Sequence, residues 1–190
     1  MKISALLNPY VLSFYLKQLW LQKKFSGRLH SKGFRLSWEP MSKFTIEENS
    51  KMFLGKNIHV RKGTDLEACD GATLTIGNNF FINKNSSIVA RYGITIGDNC
   101  MIGESTSIMD HNHTFDNLST PFKSQGYIGK KILIGDNVWI AGRVFIGQGV
   151  SIGDNVVIGA NTIVTKDIPS NSVVYGKTEL IVKALKKVPN

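Results

Sequence analysis

Between residues 134 and 169 the hydrophobic pattern repeats every six residues without a gap: IGDNVW, IAGRVF, IGQGVS, IGDNVV, IGANTI, VTKDIP. The first place is aliphatic (Ile134, Ile140, Ile146, Ile152, Ile158, Val164). The second is small, as in Gly135, Ala141 and Gly153, and the fifth is usually Val. A helix would space its apolar residues by threes and fours, and a long alternating strand by twos. A period of six fits a short strand followed by a corner. Three such sides close a triangular coil of about eighteen residues, and successive coils stack as parallel strands about 4.8 Å apart. The first-place aliphatics then fill the prism. The small second-place residues, with the Gly and Asn that follow, serve corners where φ > 0 is needed.

The corner marker, an aliphatic residue followed by Gly-x-Asn, recurs at Leu54, Ile76, Ile96, Ile134 and Ile152, at separations of 22, 20, 38 and 18 residues. These are coils of eighteen with insertions of four and two, and one of roughly twenty. The large insertion, residues 110–131, reads DHNHTFDNLSTPFKSQGYIGKK and holds two of the chain's four histidines. The expected organisation is mainly β: an N-terminal helical or extended segment over 1–45, a parallel β-helix over 46–175 with the loop inserted, and a C-terminal helix and tail over 176–190. Leu180, Ile181, Ala184 and Leu185 have helical spacing there.

Composition narrows this picture only modestly. A chain of 190 residues, 42% hydrophobic and 19% charged, fits one cored domain. Cys69 and Cys100 offer no disulfide framework, which points to a reducing, cytoplasmic setting. Cys100 stands at a fifth place and reads as a small buried apolar group. The net charge of +9 points to an anionic partner: nucleic acid, an acidic membrane surface or a phosphate-bearing small molecule. No nucleic-acid module accompanies the dispersed basic residues, so nucleic acid is set aside. Residues 3–21 are strongly apolar but contain Asn8, Pro9, Lys17 and Gln18 and lack a small-residue cleavage site, which argues against a signal peptide or a spanning helix. A helix docked on the domain is one reading. An amphipathic anchor at the inner-membrane surface, followed by the basic KKFSGR, is the other.

The run IGDNVWIAGRVFIGQGVSIGDNVVIGANTIVTKDIPSNSVVYG resembles the hexapeptide-repeat acyltransferases, in their galactoside, maltose and antibiotic acetyltransferase branch, over residues 50–185. The DHNH loop is similar to that of bacterial surface-polysaccharide O-acetyltransferases. The resemblance implies a left-handed parallel β-helix assembled as a homotrimer, with acetyl-CoA as co-substrate in a groove between prisms, no metal, and a protruding loop that walls the site. The implied acceptor is a sugar or oligosaccharide hydroxyl of a surface polysaccharide or its precursor. Attack on the thioester requires removal of the hydroxyl proton, and an imidazole with an ordinary pKa of about 6.5 suits that task. Alignment on Ile108 puts His113 at the family's base position, with His111 the competitor. Asp110 is read as an imidazole orienter, a sugar ligand or a turn residue.

On the acceptor side the resemblance implies Asn83, with Asn85 beside it; Asn83 also reads as a corner asparagine of left-handed geometry. Arg91 replaces the family's acidic acceptor-binding residue and suits an acidic sugar. On the CoA side it implies Gly142, Ala160, Thr165 and Lys166, with Trp139, Arg143 and Lys183 as further contacts. The family's G-x-P-A-[KR] segment is replaced by Gly176-Lys177-Thr178-Glu179-Leu180. The alternatives are N-acetylation of an amino-sugar nucleotide, a non-catalytic scaffold, and a zinc-dependent hydratase needing three gathered imidazoles.

Overall fold

The computed structural model describes residues 9–32 and 36–177. Short parallel strands form three sheets that enclose a triangular prism. Face 1 stacks Leu29–Ser31, Lys51–Leu54, Thr73–Ile76, Ile94–Ile96, Ile132–Ile134 and Ser151–Ile152. Face 2 stacks Leu36–Trp38, Ile58–Val60, Phe80–Ile82, Met101–Ile102, Trp139–Ile140, Val157–Ile158 and Val173–Val174. Face 3 stacks Lys43–Ile46, Asp65–Ala68, Ser87–Ala90, Ser107–Met109, Phe145–Ile146 and Ile163–Val164. The register pairs Leu54 with Ile76, Ile76 with Ile96, Ile96 with Ile134 and Ile134 with Ile152. The marker separations are therefore the coil lengths.

The stack starts earlier than residue 46. Leu29–Ser31, Leu36–Trp38 and Lys43–Ile46 pair in parallel with the strands of the next coil. This first coil escapes the hexad pattern because it turns on other residues, including Met41 (φ 65°) and Asn49 (φ 64°). The helix α1, Pro9–Lys24, lies against it with Leu21 and the following Phe25 buried. The expected C-terminal helix lies outside the described residues.

From Leu54 to Ile152, each corner between faces 1 and 2 divides its labour between two residues. The left-handed conformation sits at the fourth place of the hexad, where Asn57, Asn79, Asn99, Asn137 and Asn155 have φ between 54° and 58°. Asn tolerates that region better than other non-glycine residues. The second-place glycines answer a different constraint, close approach. A Cβ on Gly55 would lie 2.5 Å from the carbonyl carbon of Gly77, and one on Gly97 would run into Asp136 and the Gly135 backbone. Corner side chains then bond up the stack. Asn57, Asn79 and Asn99 form an amide ladder at 2.8 and 2.9 Å. The backbone N–H groups of Asn78, Asp98 and Asp136 donate to Asp98, Asp136 and Asp154 at 2.7–2.8 Å. The side chain and N–H of Asn78 hold the Asp98 carboxyl below the ordinary carboxylate range. That contact supports the fold above about pH 4 and is lost as acid protonates the carboxyl.

The interior is an aliphatic column in which Met52, Leu74, Ile88, Ile94, Ile108 and Ile146 are fully buried, each contributing roughly 1.5–3 kcal/mol by burial. Between faces 2 and 3, buried hydroxyls satisfy backbone carbonyls: Thr64 donates to Asn83, Ser86 to Gly103 and Thr106 to Ala141. Gly97→Ala is expected to lower stability by about 2 kcal/mol, the scale of overpacking. Gly176→Ala, with its nearest neighbour 3.9 Å away, is expected to be close to neutral. Denaturant titration of both variants checks this.

Candidate active site

The repeat is interrupted where face 3 should turn into face 1. Asp110, directly after Ser107–Met109, is fully buried. Its carboxylate accepts hydrogen bonds from the N–H groups of Arg91 (2.9 and 3.1 Å), Tyr92 (2.8 Å) and Gly93 (2.7 Å), three successive amides of the corner one coil earlier. Such a run of converging amides is an anion nest. The same carboxylate stands 3.1 Å from Nδ1 of His111. The Asp110 carbonyl accepts from Lys130 N–H at 3.0 Å, so the insertion leaves and returns at one neck, and Ile132 resumes in register with Ile94. Asp110 thus meets an imidazole and also caps a corner of the prism, and its burial keeps the carboxylate away from solvent.

Beyond the neck, His111–His113 pairs antiparallel with Tyr127–Gly129. Alternate residues of a strand share a side, so His111 and His113 point the same way. The Tyr127 ring meets both, with centroids 5.3 Å from His111, edge-on, and 4.5 Å from His113, tilted. Arg91 braces that ring: its guanidinium lies 3.9 Å from the Tyr127 centroid and is ion-paired with Asp70. The Tyr92 hydroxyl donates to the Tyr127 carbonyl at 2.9 Å. Only glycine fits at 129, because a Cβ there would enter the Asp110 carbonyl and the Tyr92 ring. His111 is largely covered, with 12% of its side chain exposed. His113 is exposed and lines an open depression of about 670 Å³ with Phe115, Phe122, Lys123 and Tyr127. Sequence reasoning missed Tyr127 and Tyr92. Their signal was the hairpin pairing, which no six-residue count reveals.

The other expected site residues divide between two edges of the prism. Arg91, Asp110, His111, His113, Thr165 and Lys166 lie on the edge between faces 3 and 1. Asn83, Asn85, Gly142, Arg143 and Ala160 lie on the edge between faces 2 and 3. Asn85 (φ 55°) and Arg143 (φ 56°) are left-handed corners, and the Asn83 amide donates to Glu104 at 3.0 Å. On that second edge Gly142 holds the place that Asp136 holds between faces 1 and 2. Ala160, one coil on, has no side-chain acceptor for its N–H, so the Gly142 amide lacks the cap that Asp154 gives Asp136. This edge therefore presents an uncapped amide beside small residues, with Arg143 adjacent and Trp139 49% exposed on face 2. Lys183 lies outside the described residues.

Cys69 and Cys100 are buried, and burial pushes the Cys69 thiol up to about 11. The Cys100 thiol, also raised by burial, faces the Gly135 carbonyl at 3.2 Å. His30 stacks on Phe53 and His59 meets Phe81 edge-on, each away from the hairpin. Among the described residues no group of three or more His, Cys, Asp or Glu side chains is arranged to hold a metal ion.

Two family profiles match the chain: bacterial transferase hexapeptide (six repeats) over residues 131–166, and hexapeptide repeat of succinyl-transferase over residues 73–104. The galactoside O-acetyltransferase of Escherichia coli is 44% identical over 106 residues, 56% of this chain and 51% of that protein. The crystal structure of the polySia-specific acetyltransferase NeuO is 26% identical with a TM-score of 0.52, covering 82% of this chain and 85% of that one. AntD, an N-acyltransferase from Bacillus cereus solved with dTDP-4-amino-4,6-dideoxyglucose and coenzyme A, shares the fold. It has a TM-score of 0.69 at 20% identity, covering 90% of each chain. The chain carries hexapeptide repeats of the bacterial transferase type over residues 73–104 and 131–166, and its parallel solenoid matches the left-handed β-helix fold of the hexapeptide acyltransferases. It spans 51–60% of the length of the curated relatives it matches.

Asp110→Asn is expected to cost about 2–3 kcal/mol, since it weakens several charge-assisted bonds in a buried nest. Amide hydrogen exchange over residues 111–129 should rise more than over the coils. Unchanged exchange in the hairpin would contradict the anchoring role.

Proposed function

We propose that the protein is an acyl-CoA-dependent O-acetyltransferase acting on a sugar hydroxyl of a bacterial surface polysaccharide or its precursor. The observation that carries this reading is His113, exposed on a hairpin that Asp110 roots and Tyr127 and Arg91 brace. His113 takes the proton of the acceptor hydroxyl as its oxygen attacks the thioester carbonyl. Collapse of the tetrahedral intermediate forms the sugar ester and expels the CoA thiolate, which the imidazolium reprotonates. Acetyl-CoA lies along Gly142 and Ala160, whose amides meet the pantetheine, with Trp139 packed on its arm. Arg143, Lys166 and Lys183 offset phosphate charge, and Thr165 lines the same groove.

The two sets of residues occupy different edges of one prism. We therefore assign the active form to a homotrimer in which the hairpin edge of one copy meets the edge bearing Gly142, Asn83 and Asn85 of the next. Asn83 and Asn85 then face the acceptor from the neighbouring copy. Arg91, with donors beyond those that Asp70 takes, suits an acidic sugar. The buried, unbridged cysteines suit a cytoplasmic location. The polysaccharide assignment is supported by the DHNH form of the loop and by the likeness to NeuO.

A second reading makes His111 the base, favoured by the Asp110 carboxylate 3.1 Å from its Nδ1, an arrangement that would fix its tautomer. Free-thiol release from acetyl-CoA in the presence of a polysaccharide extract separates the two. With CoA binding preserved by calorimetry, His113→Ala is expected to lower turnover by about 10²-fold or more. Near-normal turnover in His113→Ala with loss in His111→Ala would move the base to His111. Failure of the wild type to bind acetyl-CoA would leave the fold without this activity.

A further inference from the structure

The N-terminal helix turns an apolar face outward. With 3.6 residues per turn, Gln18, Leu21 and the following Phe25 share the inner side and are 8%, 3% and 6% exposed. Leu16, Leu19, Trp20 and Lys23 fall on the opposite side, with the first three 59%, 61% and 56% exposed. A helix docked on a soluble prism ordinarily presents polar residues there. This one contains no acidic residue and ends in Lys23 and Lys24, both exposed. The Lys24 ammonium lies 4.9 Å from the Trp20 ring centroid. Lys24 and Trp20 also share a cleft with the exposed Lys43, and Met41, 73% exposed, stands two residues before Lys43.

We propose that this outer face of α1 docks the protein on an anionic lipid bilayer surface. The helix lies in the interface with Leu16, Leu19 and Trp20 among the headgroups and upper acyl chains, while Lys23, Lys24 and Lys43 meet lipid phosphates. Three observations select this occupant. The charged residues of the helix are all lysines, so the side chains around the exposed apolar residues suit a negatively charged surface. Trp20, with an apolar body and a polar N–H, suits the water–lipid boundary. A second copy meeting the same face would bring its own lysines against these, whereas an anionic surface neutralises them. No described helix is long and apolar enough to cross a membrane, so the contact is peripheral. Docking here is independent of the chemistry assigned to His113.

The test is co-sedimentation of the full-length protein with phosphatidylcholine vesicles and with mixed phosphatidylcholine–phosphatidylglycerol vesicles. Circular dichroism controls for folding. The wild type is expected to pellet with the anionic vesicles, to remain largely in solution with the neutral ones, and to be released by salt. Leu19→Glu/Trp20→Glu and Lys23→Glu/Lys24→Glu, each folded, should lower anionic-vesicle partitioning by about tenfold or more. Absence of wild-type binding, or binding untouched by both double substitutions, overturns the proposal. If the wild type ignores vesicles while Leu19→Glu/Trp20→Glu changes its mass in sedimentation equilibrium, the face belongs to a second copy and the lipid proposal falls.

Discussion

The rest of the structure depends on how closely one corner stacks on the next. At the second place the backbones of successive coils approach until a single methyl group would collide. At the fourth place the chain reverses through a left-handed residue that asparagine supplies. These two demands explain why Gly-x-Asn follows Leu54, Ile76, Ile96, Ile134 and Ile152 between faces 1 and 2. Once corners stack this tightly, strand register follows and the aliphatic column is buried inside the prism. The amide and carboxylate ladders then satisfy polar groups that no sheet partner reaches. A fold of this kind rejects insertions into its strands but tolerates them at corners, where the chain can leave and return through one neck.

The hairpin takes that opportunity, and Asp110 lets it do so without loosening the prism. Its carboxylate replaces the missing corner by gathering three amides of the coil before it, and the same group reaches His111. The structural anchor and the carboxylate that meets His111 are thus one side chain. The arm carrying His113 is held by Tyr127, Arg91 and Tyr92 against the prism wall. The hairpin therefore needs no hinge within the repeat to keep His113 in place.

Much of this was legible in the residues alone. The separations of 22, 20, 38 and 18 between markers are the coil lengths, because each marker aliphatic pairs with the next. Cys100 at a fifth place is buried, as its position required. The first coil was not legible, since Met41 and Asn49 turn its corners without the glycine signature. Asparagine itself was ambiguous: Asn83 reads equally as ligand and as left-handed corner, and the left-handed residue at that corner is Asn85, with a φ of 55°. Tyr127 was invisible because its partners, His113 and Arg91, are brought to it by the hairpin and by an earlier coil. Which edge each expected site residue occupies also emerged only from the coil phase, and the proposed trimer rests on this division.

The most direct test of the account uses two inactive chains, His113→Ala on the hairpin edge and Gly142→Trp on the opposite one. Produced separately, each should release thiol from acetyl-CoA only at background. Produced together, they form mixed assemblies in which some interfaces pair an intact hairpin with an intact Gly142 edge. A site shared between neighbours predicts recovery of about a quarter of wild-type activity. Background activity in mixed assemblies of normal size would mean that His113 and Gly142 must act within one chain, and would contradict the account.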